Sequence, residues 1–131
     1  MRLMPTYDEA RFNPPAPVAL VVFHNPRNDW RVSGVPMLLD SGADVTLIPR
    51  TVVDQLDARL LPDVSYEVSG FDGSVSLASA VRLEMILKDK TFRGNYLVVD
   101  QAWGIVGRDI LNLLSLLFDG PHLMWDEHRS R

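Results

Sequence analysis

The sequence predicts a mostly-β domain, a closed or folded-over β-barrel carrying one or two short helices. Three observations lead there. Six or seven short apolar runs are rich in valine, leucine and aromatic residues. Turn chemistry separates several of them, as at Asn25-Pro26, Asp72-Gly73 and Asp119-Gly120. One longer segment places Val81, Leu83, Met85 and Leu87 around Arg82 and Glu84, the period of two that a half-buried strand needs.

The elements follow in chain order. Residues 1–17 hold four of the nine prolines, and Pro14, Pro15 and Pro17 oppose helix and favour extended backbone. They are expected to form an N-terminal arm, either loose or laid against the body, ahead of a single domain over 18–131. Val18 to Phe23 reads as a strand closed by the turn Asn25 to Asp29. Trp30 to Ser33 restarts extended structure, and Val35 to Leu39 is a buried strand ending at Asp40. Pro49 to Leu56 opens with proline at a first helical position and reads as a short helix. Asp-Gly between Tyr66–Ser69 and Ser74–Leu87 signals a hairpin. Thr91 to Asp100 returns as its neighbour. Ile110, Leu111, Leu113, Leu114 and Leu117 fall at helical spacing, and these leucines together with Leu116 are expected in the core. His122 to Trp125 is the last strand. Trp30, Trp103 and Trp125 are expected in the core or at an interface.

Composition removes several classes of function. At 131 residues, 47% hydrophobic and 23% charged, the chain has the size and balance of one globular domain. With no cysteine it has no disulfide, thiolate metal site or Cys nucleophile. A net charge of −4 with no Lys/Arg run argues against nucleic acid as a partner. The longest apolar stretch, Leu113 to Phe118, is too short to span a bilayer, and Met1 to Pro5 lacks a signal-peptide core, so no membrane partner and a cytoplasmic location are expected. His24, His122 and His128 show no metal-ligand spacing, and neither a nucleotide-binding glycine loop nor a Gly-x-Ser-x-Gly elbow occurs. No metal and no cofactor is therefore expected.

The chemically informative segment is Leu38-Leu39-Asp40-Ser41-Gly42-Ala43-Asp44. An apolar strand delivers a carboxylate to a loop of small residues, a costly arrangement unless the carboxylate is hydrogen-bonded or functional. A surface turn has no need to sit between that strand and the apolar Val45-Thr46-Leu47-Ile48-Pro49. Downstream, Gly104-Ile105-Val106-Gly107-Arg108-Asp109-Ile110-Leu111-Asn112 runs from a strand end through a glycine and a charged pair into a helix.

These two segments, in this order and with a glycine-bearing hairpin between them, resemble the retropepsin-type (retroviral-like) aspartic proteases. LLDSGADVTLIP is similar to the family's apolar-apolar-Asp-Thr/Ser-Gly-Ala motif, and GIVGRDILN to its later apolar-apolar-Gly-Arg-Asp/Asn motif. The match covers roughly Val18 to Trp125, and the Asp-Gly-Pro turn after the helix is most like the short bacterial single-domain members. Residues 1–17 do not look like the interface strand of viral members, and the hairpin tip GFDGS is less glycine-rich than a viral flap.

The resemblance implies an aspartic endopeptidase with Asp40 as catalytic residue and a peptide or protein as substrate. Two carboxylates must share one proton in such a site. The chain holds only one Asp-Ser-Gly loop, so the second Asp40 has to come from another copy, which makes a homodimer the expected assembly. By the same resemblance, Ser41 bonds across the two-fold axis, Gly42 and Ala43 line the cleft floor, and Asp44 pairs with Arg108 in a partly buried brace. Gly70, Phe71, Asp72, Gly73 and Ser74 would form a flap over an extended peptide. The alternative is a non-catalytic, dimerising peptide-binding module on the same fold.

Overall fold

A computed structural model describes residues 5–69 and 72–128. In chain order its elements are β1 (Tyr7–Asp8), β2 (Ala16–Asn25), β3 (Trp30–Leu39), β4 (Leu47–Pro49), α1 (Arg50–Gln55), β5 (Leu60–Ser69), β6 (Val75–Leu87), β7 (Lys90–Val99), β8 (Gly104–Val106), α2 (Arg108–Leu111), β9 (Leu116–Asp119) and β10 (Met124–Glu127). The mostly-β expectation with two short helices is met.

Eight strands form one sheet in the order β1-β2-β3-β8-β4-β7-β6-β5, and β2 pairs with β6 as well as β3. That extra pairing folds the sheet back on itself and leaves β1 and β5 outside the closure. Two pairings are parallel, β3 with β8 and β4 with β7. These pairings bring the sequence-distant segments 35–39 and 104–106 side by side.

Side chains alternate as a half-buried sheet requires. Val35, Met37 and Leu39 of β3 point inward, as do Leu83, Met85 and Leu87 of β6. They meet Val21, Phe23, Ile48, Tyr96 and Val106 in the main core, where the Phe23 and Tyr96 rings pack edge to face with centroids 5.5 Å apart. A smaller cluster of Leu47, Ala78, Ala80 and Leu97 lies under the root of the β5–β6 hairpin. The turn after β2 is stapled to the end of α1, because the Asn25 and Asn28 side-chain amides both donate to the Leu56 carbonyl (3.1 and 2.9 Å).

The proline-rich segment is laid against the body. The Tyr7 N–H donates to the Leu123 carbonyl (2.8 Å), the Trp125 N–H to the Pro5 carbonyl (3.0 Å), and Tyr7 lies opposite Pro17. Trp125 is buried, and its indole N–H donates to the Val18 carbonyl (3.2 Å). Lys88 reaches over the Trp125 ring and pairs with Asp126 (3.0 Å), while Lys90 pairs with Glu127. The β6–β7 turn thus clamps β10 in place.

Two expectations are corrected. The helical pattern from Ile110 to Leu117 yields only α2; beyond Leu111 the backbone turns, and Leu116–Asp119 pairs with β10 as a strand. Leucine runs suit either conformation, and the partner strand decides. Consequently Leu113 and Leu117 are not core residues but stand 65% and 53% exposed, while Leu111, Leu114 and Leu116 pack against the core. Trp30, at the outer end of β3, is exposed, so of its two expected places the core is excluded.

Candidate active site

The candidate loop is built by the parallel pair β3 and β8. Leu38 lies opposite Ile105 and Leu39 opposite Val106, and the Asp40 N–H continues the ladder by donating to the Val106 carbonyl (3.1 Å). The chain then doubles back: the Ala43 N–H donates to the Asp40 carbonyl (3.1 Å), and the Gly42 N–H to Asp40 Oδ1 (2.9 Å). A buried strand thus carries the carboxylate to a half-buried position, and the loop's own amide orients it. A Cβ at Gly42 would stand 3.1 Å from that same oxygen, so a larger residue would crowd the carboxylate it helps to aim.

The second segment braces the first. The Arg108 N–H donates to the Ala43 carbonyl (2.8 Å) and the Asp109 N–H to the Asp44 carbonyl (3.2 Å). The Arg108 guanidinium donates to the Ser41 carbonyl (2.6 Å) and to the Asp44 carboxylate. Beneath this lies a tie that sequence reading missed. Buried Thr46 donates its hydroxyl to Asp109 Oδ1 (2.7 Å) and accepts the Gly107 N–H (3.1 Å), while its own N–H donates to Asp109 Oδ2 (3.2 Å). The available signal was a hydroxyl inside an apolar run, since a buried polar group needs a partner. Gly107 is also fixed sterically, because a Cβ there would collide with the Val45 backbone.

The Asp44–Arg108 pair forms as the motif implies, but it is not buried within one chain. Asp44 is 82% and Arg108 43% exposed at the side chain. Exposed pairs contribute about 0–1 kcal/mol, well short of the several kcal/mol of a buried one. The cause is position: the pair lies on the rim of the loop, and only the Thr46–Asp109 tie runs beneath it.

Of the expected flap, Gly70 and Phe71 lie outside the described residues. Asp72, Gly73 and Ser74 form the tip between Ser69 and Val75, which pair directly. Gly73 has φ +84°, a left-handed conformation suited to glycine, and the Ser74 N–H donates to Asp72 Oδ1 (2.9 Å). The Ser74 hydroxyl first, and then its N–H, hold the Asp72 carboxyl below the usual carboxylate range. The hairpin root rests on Leu47, the residue after Thr46, so hairpin and loop share the small cluster of Leu47, Ala78, Ala80 and Leu97.

Ser41 and Gly42 are exposed. Beside them opens a cleft of about 450 Å³ between Leu39 and Ser41 on one side and Leu111, Leu114 and Phe118 on the other. Among the described residues no group of His, Asp or Glu side chains could hold a metal ion, and no helix is long and apolar enough to cross a membrane.

No protein-family model matches the sequence. Among solved structures, the chain is similar to EIAV protease, a retroviral protease, in its complex with the inhibitor HBY-793. The superposition has a TM-score of 0.58 at 24% identity, covering 74% of this chain and 86% of that one. The fold is that of a retroviral protease.

Proposed function

We propose that the chain is an aspartic endopeptidase that works as a homodimer, with one Asp40 from each copy at a shared site. One observation carries the reading: on a retroviral-protease fold, the single Asp-Ser-Gly loop is delivered by two buried strands and cross-tied by Arg108, Thr46 and Asp109. Such bracing would hold two carboxylates close together. Like charges at that distance share a proton, so one carboxylate takes a proton from a water and the other donates to the developing oxyanion as that water attacks the peptide carbonyl. The reaction forms no acyl-enzyme. The exposed faces of Ser41 and Phe118, which both line the cleft, support a second copy as the missing wall. The β5–β6 hairpin would then close over an extended peptide.

Asp40→Asn tests this reading. Asparagine keeps the Oδ1 acceptor for the Gly42 N–H, so folding is expected to be unchanged, while cleavage of an unfolded protein substrate falls by about 10²–10⁴-fold or more. Excess Asp40→Asn chains are expected to suppress wild-type activity, since mixed dimers hold only one carboxylate. Full turnover by the Asn variant would end the proposal. Equal peptide binding by both proteins, with cleavage by neither, would favour the binding module.

A further inference from the structure

We propose that His24, Asp29, Glu84 and Arg93 form a proton-operated clasp that locks the turn after β2 to strands β6 and β7. His24 sits near the end of β2, where the strand is paired along both edges. Val18 to Val21 pair with β3, and after an irregularity at Val22 the strand also pairs with β6, placing His24 opposite both Arg31 and Glu84. Both ring nitrogens face carboxylate oxygens: Nδ1 lies 2.7 Å from Glu84 Oε1 and Nε2 lies 2.6 Å from Asp29 Oδ1. Ionised carboxylates only accept, so both contacts are hydrogen bonds only when the ring carries two protons. A neutral imidazole has one N–H, and its other nitrogen would then turn a lone pair toward a carboxylate. Glu84 continues the chain through Oε2 to Arg93 Nε at 2.5 Å on β7.

The inner pair is well shielded, with His24 and Glu84 side chains 11% and 14% exposed. Asp29 and Arg93 cap it from solvent, and Arg31 across β3 is the nearby charge opposing a cation on the ring. Hydrogen bonding to Glu84 first, and then to Asp29, raises His24 above its ordinary value of 6.5, and the bond from His24 lowers Glu84 below its ordinary 4.5. The signs follow from linkage. The His24 contribution is complete below pH 6.5 and is lost as pH rises through its raised folded value; the Glu84 contribution is complete above pH 4.5 and is lost as pH falls through its lowered one. The clasp is therefore fully engaged in mildly acidic solution and opens toward alkaline pH. It lies at the opposite end of β3 from Asp40, roughly 30 Å of strand away, so it acts on folding and is independent of the peptidase reading.

The test follows the full chain by thermal unfolding from about pH 5 to about pH 9, His24→Gln beside wild type, with imidazole titration by NMR. His122→Asn and His128→Asn assign the ring signals. His24 is expected to titrate above 6.5. The wild-type midpoint is expected to exceed that of His24→Gln by on the order of 4 °C near pH 5.5, a gap that closes at alkaline pH. Glu84→Gln is expected to bring the His24 titration back down, a readout that requires no stability difference. A His24 titration at or below 6.5, a pH-independent gap, or a titration unmoved in Glu84→Gln would each overturn the clasp.

Discussion

The loop at 40–46 and the C-terminal stretch at 112–119 border the same cleft, yet they are held by opposite means. The loop is short, polar and cross-tied: backbone amides, a guanidinium, a buried hydroxyl and a carboxylate fix it to residues 107–109. The C-terminal stretch is apolar and turns half of its leucines to solvent, held by the pairing of β9 with β10 and by Leu114 and Leu116 against the core. The difference teaches where each region's order comes from. Directional bonds within one chain can finish a loop, whereas exposed leucines on the same stretch find no burial within it.

Four substitutions sharpen that contrast. Thr46→Val should have the largest effect on stability. It keeps the shape of the side chain but leaves the Gly107 N–H and an Asp109 oxygen without their hydroxyl partner, at a cost of about 1–3 kcal/mol. Denaturant unfolding measures it, and a neutral result would show that the buried tie is dispensable to the loop.

Arg108→Ala should cost the isolated chain less, about 0–1 kcal/mol, because the pair with Asp44 is exposed. Its effect on cleavage should exceed its effect on stability, since the same guanidinium holds the Ser41 carbonyl beside Asp40. Comparing unfolding midpoints with initial rates separates the two, and a loss of several kcal/mol would show that the pair is buried after all in the working assembly.

Leu113→Ser and Leu117→Ser should be the mildest within one chain, within about 0.5 kcal/mol for exposed positions. Under the dimer proposal they should nevertheless raise the concentration at which copies dissociate, which sedimentation reads directly. Stability losses of about 2–5 kcal/mol, as for buried leucines, would erase the contrast between the two regions.

By itself the sequence determined the strand pattern from Val18 to Phe23, the alternating face of β6, the Asp-Gly hairpin, the short helix after Pro49 and the delivery of Asp40 to a loop by an apolar strand. Those features rest on local chemistry: side-chain period, turn residues, and a carboxylate that a buried strand cannot hold without cause. Only the tertiary structure decided that Leu116–Asp119 is a strand, because an apolar run has no preference until β10 offers its backbone. Only it brought His24 between Asp29 and Glu84, the second of them sixty positions further along the chain. The same holds for Thr46 and Asp109, joined across 63 positions by the parallel pairing of β3 with β8 and the short return through β4. A sequence shows which polar groups will need partners; the path of the backbone chooses which partners they find.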